Sequence, residues 1–374
     1  IANPPWEIVT TNNREFFSIY DPCFPKLTKD ERIRKKSIYL QDGDIKNSYD
    51  SYIKQIIDTK KYIRKNFPLR GPGQINLYRV SLERILQLTR NRGYVGVITP
   101  SGLAGEYSAK HLREELLLHN KLLEMWSFSI GAKLFQDADV SPLFTIFSRG
   151  GKTDSFIYYP HIDSIQTAYK LLNRKNPSRI SSKLIYKLSP NNLCFTPILD
   201  DIEYNILKKL YRFPVISNQS FNSWNINIGR ELDETNERSY ITDQQTKYIF
   251  LKGIDIRPFS INLYRKRYVQ ENYPKLSRKW HTKERIIWRD IARSNKKRRM
   301  FTTLAPKGYI LGNSLNFFKE NLSKNKRYYL LGVWSSLLIE YRIRQLSTNN
   351  HLNMYVTRQI PIPRLEGDDP YLKE

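Results

Sequence analysis

A mixed α/β fold running into an α+β region is what this sequence predicts, and three features predict it. Apolar residues recur at helical spacing over 76–90 ("NLYRVSLERILQLTR"). Short apolar runs follow at 94–100, 122–130 and 141–148. Beyond about residue 214 this alternation gives way to short strands, loops and scattered helices rich in Asn, Tyr, Lys and Arg. With 374 residues, 40% of them hydrophobic, the chain is long enough for two domains with real cores.

Ile1-Ala2 read as the last residues of a strand. Residues 7–72 are polar and aromatic, with a basic helical pattern over 45–65. The helix at 76–90 is ended by Gly93, and "YVGVITP" (94–100) is a buried strand. A helix at 108–118 precedes a strand at 122–130. The strand at 141–148 is close enough to pair with it as a hairpin. Alternating strand and helix patterns indicate parallel strands. "SFIYYP" (155–160) adds a strand, 163–174 and 200–211 add helices, and 327–346 is the last clear helix. A boundary within 195–212 divides the chain into residues 1–195 and 196–374.

Lys and Arg total 62 against 36 Asp and Glu, a formal charge of +26, which favours a polyanionic partner, most often nucleic acid. A solvated basic surface is the alternative reading. Cys23 and Cys194 stand alone, without metal-ligand spacing, which fits a reducing cytoplasm and argues against a disulfide scaffold. No apolar run approaches membrane-spanning length.

Asn3-Pro4-Pro5-Trp6 carries the most specific chemistry. Methylating the exocyclic amine of adenine requires acceptors for its two N–H groups. An Asn side-chain oxygen and a backbone carbonyl supply them. Consecutive prolines fix that backbone and donate no N–H, and an aromatic residue can stack on a base taken out of the duplex. A rigid strand-exit turn is the plainer reading of the same four residues.

"NPPW", "NLYRVSLERIL", "GYVGVITPSGLAGEYSAKHLREELL" and "GAKLFQDADVSPLFTIFSRG", in that order, resemble the gamma-class DNA adenine-N6 methyltransferases of type II restriction–modification systems. "FLKGIDIRPF", "RIIWRDIARS", "YILGNSLNFF" and "HLNMYVTRQIPIPR" resemble pieces of that group's target-recognition domain. The resemblance implies part of a Rossmann-like methyltransferase sheet, mixed and with a terminal β-hairpin, over 1–195. An α+β target-recognition domain over 196–374 would follow. It implies a base-flipping, S-adenosylmethionine-dependent, site-specific enzyme of a prokaryotic cytoplasm acting on double-stranded DNA. A DNA-binding specificity module, or the methyltransferase portion of a bifunctional restriction endonuclease–methyltransferase, is the alternative.

Carried over residue by residue, the resemblance puts Asn3, Pro4, Pro5 and Trp6 in the catalytic motif. Trp6 and Phe135 would stack on the target base, and Asn76 and Tyr78 would border the cofactor. Ordinary core packing is the alternative for Phe135 and Tyr78. Ser81 stands where relatives often carry an aromatic. The family's Gly-rich cofactor turn precedes Asn-Pro-Pro-aromatic, and "GPG" (71–73), "GRELDE" (229–234) and "GNS" (312–314) lack its strand-to-helix context. The chain is therefore expected to be a C-terminal part starting where the active-site strand ends, lacking the N-terminal half, with an incomplete cofactor pocket and inactive alone.

No nuclease or metal constellation is legible. Asp137 and Asp139 read as loop residues, Glu231, Asp233 and Glu234 as a solvated acidic turn, and the five His are dispersed. Residues 251–300 hold 16 Lys or Arg against 4 Asp or Glu, interleaved with Tyr264, Tyr268, Tyr273, Trp280 and Trp288, a density suited to phosphate neutralisation. The candidate DNA contacts are Arg257, Arg265, Lys266, Arg267, Arg278, Arg293, Lys296, Lys297, Arg298, Arg299 and Asn313. "STNNHLN" (347–353) is a candidate DNA-facing loop.

Overall fold

The computed structural model describes residues 1–135, 140–173, 179–198, 201–217, 223–292, 297–347 and 350–365. The chain divides into two compact units, Ile1–Leu103 with Tyr107–Arg179, and Ala104–Glu106 with Ile180–Glu374.

The first unit begins with helices α1 (Asn13–Ser18), α2 (Lys29–Tyr39) and α3 (Gly43–Asn66). A Thr28–Glu31 capping box starts α2, and the Asp42 carboxylate accepts the first N–H groups of α3. Phe17, Phe24 and Tyr49 form their common core, with Phe16, Tyr39 and Tyr52 packed against it. Sequence periodicity shows only the last of these helices. The first two are held by this aromatic cluster, and α2 buries no residue fully.

Helix α4 (Leu77–Leu88) follows, with Asn76 as its N-cap, and then β1 (Tyr94–Pro100). The single turn α5 (Gly102–Gly105) and helix α6 (Lys110–Leu118) lead into β2 (Asn120–Phe128), β3 (Pro142–Arg149), β4 (Ser155–Ile162), α7 (Ile165–Leu172) and β5 (Arg179–Ser181). The sheet order is β1-β3-β2-β4-β5. β3 runs antiparallel between β1 and β2, and β4 is parallel to β2. β1, β2 and β4 thus share one direction, as the strand–helix alternation predicts. The β2–β3 hairpin is internal to the sheet, a correction to the expected terminal one, because the run beginning at Ser155 continues the sheet on the far side of β2. Ala2 pairs parallel with Val97, its N–H 2.9 Å from Gly96 O, while Ile98 N–H donates back to Ala2 O at 3.0 Å.

Among the described residues, the second unit holds α8 (Ser182–Leu188) and α9 (Asp201–Leu210), then ten short strands. These are β6 (Ile228–Gly229), β7 (Ile241–Thr242), β8 (Ile249–Leu251), β9 (Ile256–Arg257), β10 (Ser260–Ile261), β11 (Tyr268–Val269), β12 (Arg285–Arg289), β13 (Thr302–Ala305), β14 (Tyr309–Leu311) and β15 (Leu315–Phe318). They form sheets β14-β8-β11-β7 and β13-β12-β15-β6 and the hairpin β9–β10. Glu231 is buried, paired with Arg285 at 2.8 Å and accepting Leu311 N–H at 3.0 Å, so it ties β12 to β14. The expected solvated acidic turn is corrected at this residue: a buried guanidinium on a neighbouring strand needs its charge.

The expected helix over 327–346 is two helices, α10 (Lys324–Trp334) and α11 (Leu337–Leu346). Ser335-Ser336 breaks it: Ser336 turns extended, and its hydroxyl caps α11 by accepting Ile339 N–H. With α12 (Met354–Thr357), these helices pack Trp334, Ile339, Ile343 and Val356 against Ile286, Trp288 and Phe318. Among the described residues, no helix is long and apolar enough to cross a membrane.

Candidate functional site

Asn3-Pro4-Pro5-Trp6 is pinned at both ends. Before it, Ala2 is locked to β1. After it, Leu77 N–H donates to Glu7 O at 2.8 Å and Val9 N–H to Ile75 O at 2.8 Å, so residues 7–9 run antiparallel to the entry of α4. Four residues therefore span from the sheet to a helix N-terminus, and two of them are prolines with fixed φ. Pro4 is buried, Asn3 and Pro5 are exposed, and Trp6 is half-buried.

The strands leading to this point share one direction. Asn3 follows the Ala2 strand, Ser101 follows β1, and Phe135 lies in the loop after β2; all leave from carboxyl ends, the edge where open α/β sheets bind ligands. That loop passes through the one-turn segment Ile130–Ala132 and through Lys133, whose backbone is left-handed at φ 48°. Trp6 and Phe135, 129 positions apart by number, come into contact. Their ring centroids are 5.5 Å apart at 80°, edge to face. The Trp6 indole Nε1 is buried and has no hydrogen-bond partner among the described residues.

Of the two residues expected beside the cofactor, Asn76 is half-exposed and Tyr78 is buried. The Asn76 side chain accepts Tyr78 N–H at 3.1 Å as the cap of α4, and the Tyr78 ring is core, 1% exposed. Core packing claims Tyr78, so its cofactor role is corrected; Asn76 caps the helix and stays half-exposed. The same helix uses buried Arg79 to hold "RGPG" in place. Its guanidinium donates to Arg70 O (2.5 Å), Ser108 O (3.1 Å) and Gln74 O. Gly71, at φ 71°, packs so close to Ser108 that a Cβ would lie 1.8 Å from its carbonyl oxygen. "GPG" is thus a clamped loop. Burial holds the Glu83 carboxyl up near 7, against N–H groups of Leu69 and Arg70 that pull it down.

The basic candidates separate sharply. Arg257, Arg265, Lys266, Arg278 and Lys297 are exposed. Arg265 pairs with Asp243 at 2.8 Å, and Arg278 lies over Trp280 at 4.9 Å. Arg267 is half-buried over Phe250. Asn313, also half-buried, donates to Asp233 at 3.5 Å. Arg298 turns inward to Ser335 O and Met300 O. Arg299 is 1% exposed and donates to Ala292 O at 3.2 Å. Burial, with Arg344 nearby, lowers it to about 10 against the pull of Glu340, so it remains charged. A phosphate cannot reach Arg299, and its expected DNA contact is corrected. Of the interleaved aromatics, Tyr273 and Trp288 are core and Tyr264 is open.

Arg293 and Lys296, like Asp137 and Asp139, lie outside the described residues. No cluster of three His, Cys, Asp or Glu suited to a metal is present among the described residues. Sequence reasoning missed Glu340, whose carboxylate accepts Arg299 N–H and Met300 N–H at 2.8–3.0 Å and pairs with Arg344. An acidic residue in a first helical turn was its only signal.

The family Eco57I restriction-modification methylase matches residues 39–135. No curated protein matches the chain. Among solved structures, the DNA-bound ATP-dependent Type ISP restriction-modification enzyme LlaBIII is similar at 11% identity and TM-score 0.46, over 99% of this chain and 28% of that one. A nuclease-deletion mutant of the Type ISP enzyme LlaGI, in complex with a DNA substrate mimic, gives 14%, 0.45, 80% and 36%. A modification subunit of a putative type I restriction enzyme from Vibrio vulnificus YJ016 gives 19%, 0.26, 30% and 28%. The chain spans less than half the length of each. From the end of α2 to Phe135, then, this chain is similar to the restriction–modification methylases.

Proposed function

We propose that the chain carries the target-base site and the DNA-recognition region of an S-adenosylmethionine-dependent DNA adenine-N6 methyltransferase of a restriction–modification system. The whole enzyme would be either a modification enzyme or a bifunctional one. Residues 1–195 would serve catalysis and residues 196–374 target recognition. The observation that carries this reading is Asn3-Pro4-Pro5-Trp6 held at the carboxyl edge of parallel strands, with Trp6 against Phe135.

S-adenosylmethionine supplies the methyl group when bound, and the half-exposed Asn76 would border it. The exposed Asn3 side-chain oxygen accepts one N–H of the adenine amine and the Pro4 carbonyl the other. Both acceptors favour the amine as it gains positive charge. Pro5 offers no competing donor, and Trp6 gives the base a stacking face. The exposed Arg257, Arg265, Lys266, Arg278 and Lys297 would neutralise phosphates.

The test is nucleoside analysis of DNA exposed to the complete enzyme, with and without Asn3→Ala. N6-methyladenine from the parent and a loss of about 10²–10³ in rate with nearly intact duplex binding are expected. Near-normal methylation by the variant, or methylation of another base, overturns the reading.

A further inference from the structure

The loop from Lys252 to Tyr264 in the second unit is built to hold apolar side chains outward. Its inner residues are core: Ile256 is fully buried, and Ile261 and Leu263 pack on the same cluster. Its outer residues are large and open, Ile254 at 53%, Phe259 at 60% and Tyr264 at 84% exposure. The frame beneath is rigid. The buried Asp255 carboxylate accepts Lys252 N–H at 2.8 Å and Tyr264 N–H at 3.0 Å, and Asp255 O accepts Asn262 N–H at 2.7 Å.

The hairpin β9–β10 closes the loop, with Arg257 opposite Ser260. Phe259 sits at its tip in the left-handed region, at φ 61°, tied by its N–H to Thr302 O at 2.9 Å. A bulky residue is strained there. A surface turn that places Phe in this conformation, ring outward, gives up both strain energy and apolar burial.

The charge around the tip names the occupant. The Arg257 guanidinium donates to Ile254 O at 2.8 Å and Ile256 O at 3.1 Å, and the Arg289 guanidinium donates to the same two carbonyls at 3.4 and 2.6 Å. Two cations therefore crowd one spot. Burial and the Arg257 charge both push Arg289 down, with only Asp255 opposing. An anion placed beside the pair relieves that crowding. Exposed Lys266 extends the positive surface along the chain. Apolar tip plus paired guanidiniums match a stacked duplex: an apolar side chain can wedge into a base step while cations hold the flanking phosphate.

We propose that the Lys252–Tyr264 loop is a DNA-distorting wedge, with Phe259 entering a base step of duplex DNA and Arg257 and Arg289 gripping an adjacent phosphate. This deepens the DNA-binding reading above and rests on it.

The probes are a duplex of about 30 base pairs and the same duplex with a central one-nucleotide bulge beside 2-aminopurine. Binding is followed by fluorescence over a salt series. The parent chain should prefer the bulged duplex, in which part of the unstacking is already done, and should change the 2-aminopurine signal. Phe259→Ala should lose that change and roughly 5- to 100-fold in affinity, with the salt slope kept, the range expected for one base–aromatic stack. Phe259→Leu should retain most of both. Arg257→Gln should instead lower the salt slope by about 0.9.

Phe259→Gly separates function from folding. It should melt no lower than the parent, since it releases the positive φ, and should still fail to perturb 2-aminopurine. Unchanged affinity and fluorescence in Phe259→Ala overturn the wedge while leaving the DNA-binding reading standing. A parent chain that binds neither duplex, or that binds anionic vesicles instead, overturns both.

Discussion

The run Lys296-Lys297-Arg298-Arg299 reads as one basic patch, yet its described members should respond to substitution in opposite ways. Arg299→Ala removes a buried side chain. Two methylenes (Cγ and Cδ) at about 0.8 kcal/mol each, plus about 1 kcal/mol for the unpaired Ala292 carbonyl, give roughly 2.6 kcal/mol of destabilisation. Release of a desolvated charge returns part of this. For a unit of this size a loss of 2–3 kcal/mol lowers the melting midpoint by roughly 4–12 °C. Lys297 is exposed. Its replacement by Ala should leave stability within about 0.5 kcal/mol. It should flatten the salt dependence of duplex binding by about 0.9 for each phosphate that Lys297 neutralises. The assay pairs urea unfolding with a salt titration of DNA binding for each variant. An unshifted unfolding midpoint in Arg299→Ala, or a salt slope that falls with Arg299 and not with Lys297, would refute the division. Substituting all four residues together would confound folding with binding, because Arg298 also bonds inward.

Glu231→Ala leaves Arg285 charged and buried and Leu311 N–H unpaired, so unfolding measurements should show a loss of about 3–5 kcal/mol. A loss below about 1 kcal/mol would show that the pair is solvated. Glu83 supplies a pH signature: its folded pKa is raised to about 7 from 4.5, so its contribution is complete below 4.5 and is lost as pH rises through 7. Thermal unfolding at pH 5 and pH 8 should therefore show a larger drop for the parent than for Glu83→Gln, and equal drops would refute the assignment.

The first unit is legible because its signals are local. Apolar spacing sets α4, with Asn76 at its cap, and β-branched runs set β1 and β3. Each periodicity survives folding because one face meets the core. Which strand lies beside which is not legible in the same way. Insertion of β3 between β1 and β2 is a matter of pairing, and strand pairing leaves little trace in a single sequence. The second unit shows the complementary limit. Its strands are two to five residues long, too short for periodicity, and buried charges join the apolar clusters in holding them together. Glu231, Glu340 and Arg299 look like surface residues by type. Only three-dimensional neighbours reveal that Glu231 closes on Arg285 and Glu340 on backbone N–H groups. In the first unit, motif alone singles out Trp6 and Phe135, but their meeting depends on a chain reversal through Lys133 that composition does not encode.

That aromatic pair bears on how a base would enter under the proposed function. A base held between two parallel aromatic faces needs roughly 7 Å between the ring planes, twice the usual stacking separation. The observed pair is perpendicular, with centroids 5.5 Å apart. Phe135 thus occupies space beside Trp6 that a sandwiched base would take, so entry has to displace an edge-to-face interaction worth about 0.5–1.5 kcal/mol. Stacking the base on Trp6 returns about 1–3 kcal/mol, so the exchange favours the base even before the acceptors of Asn3 and Pro4 are counted. The motif side of the site is fixed at both ends through Ala2 and Glu7. The adjustment therefore falls on Phe135, in the loop after β2, whose edge-to-face contact with Trp6 an entering base would replace.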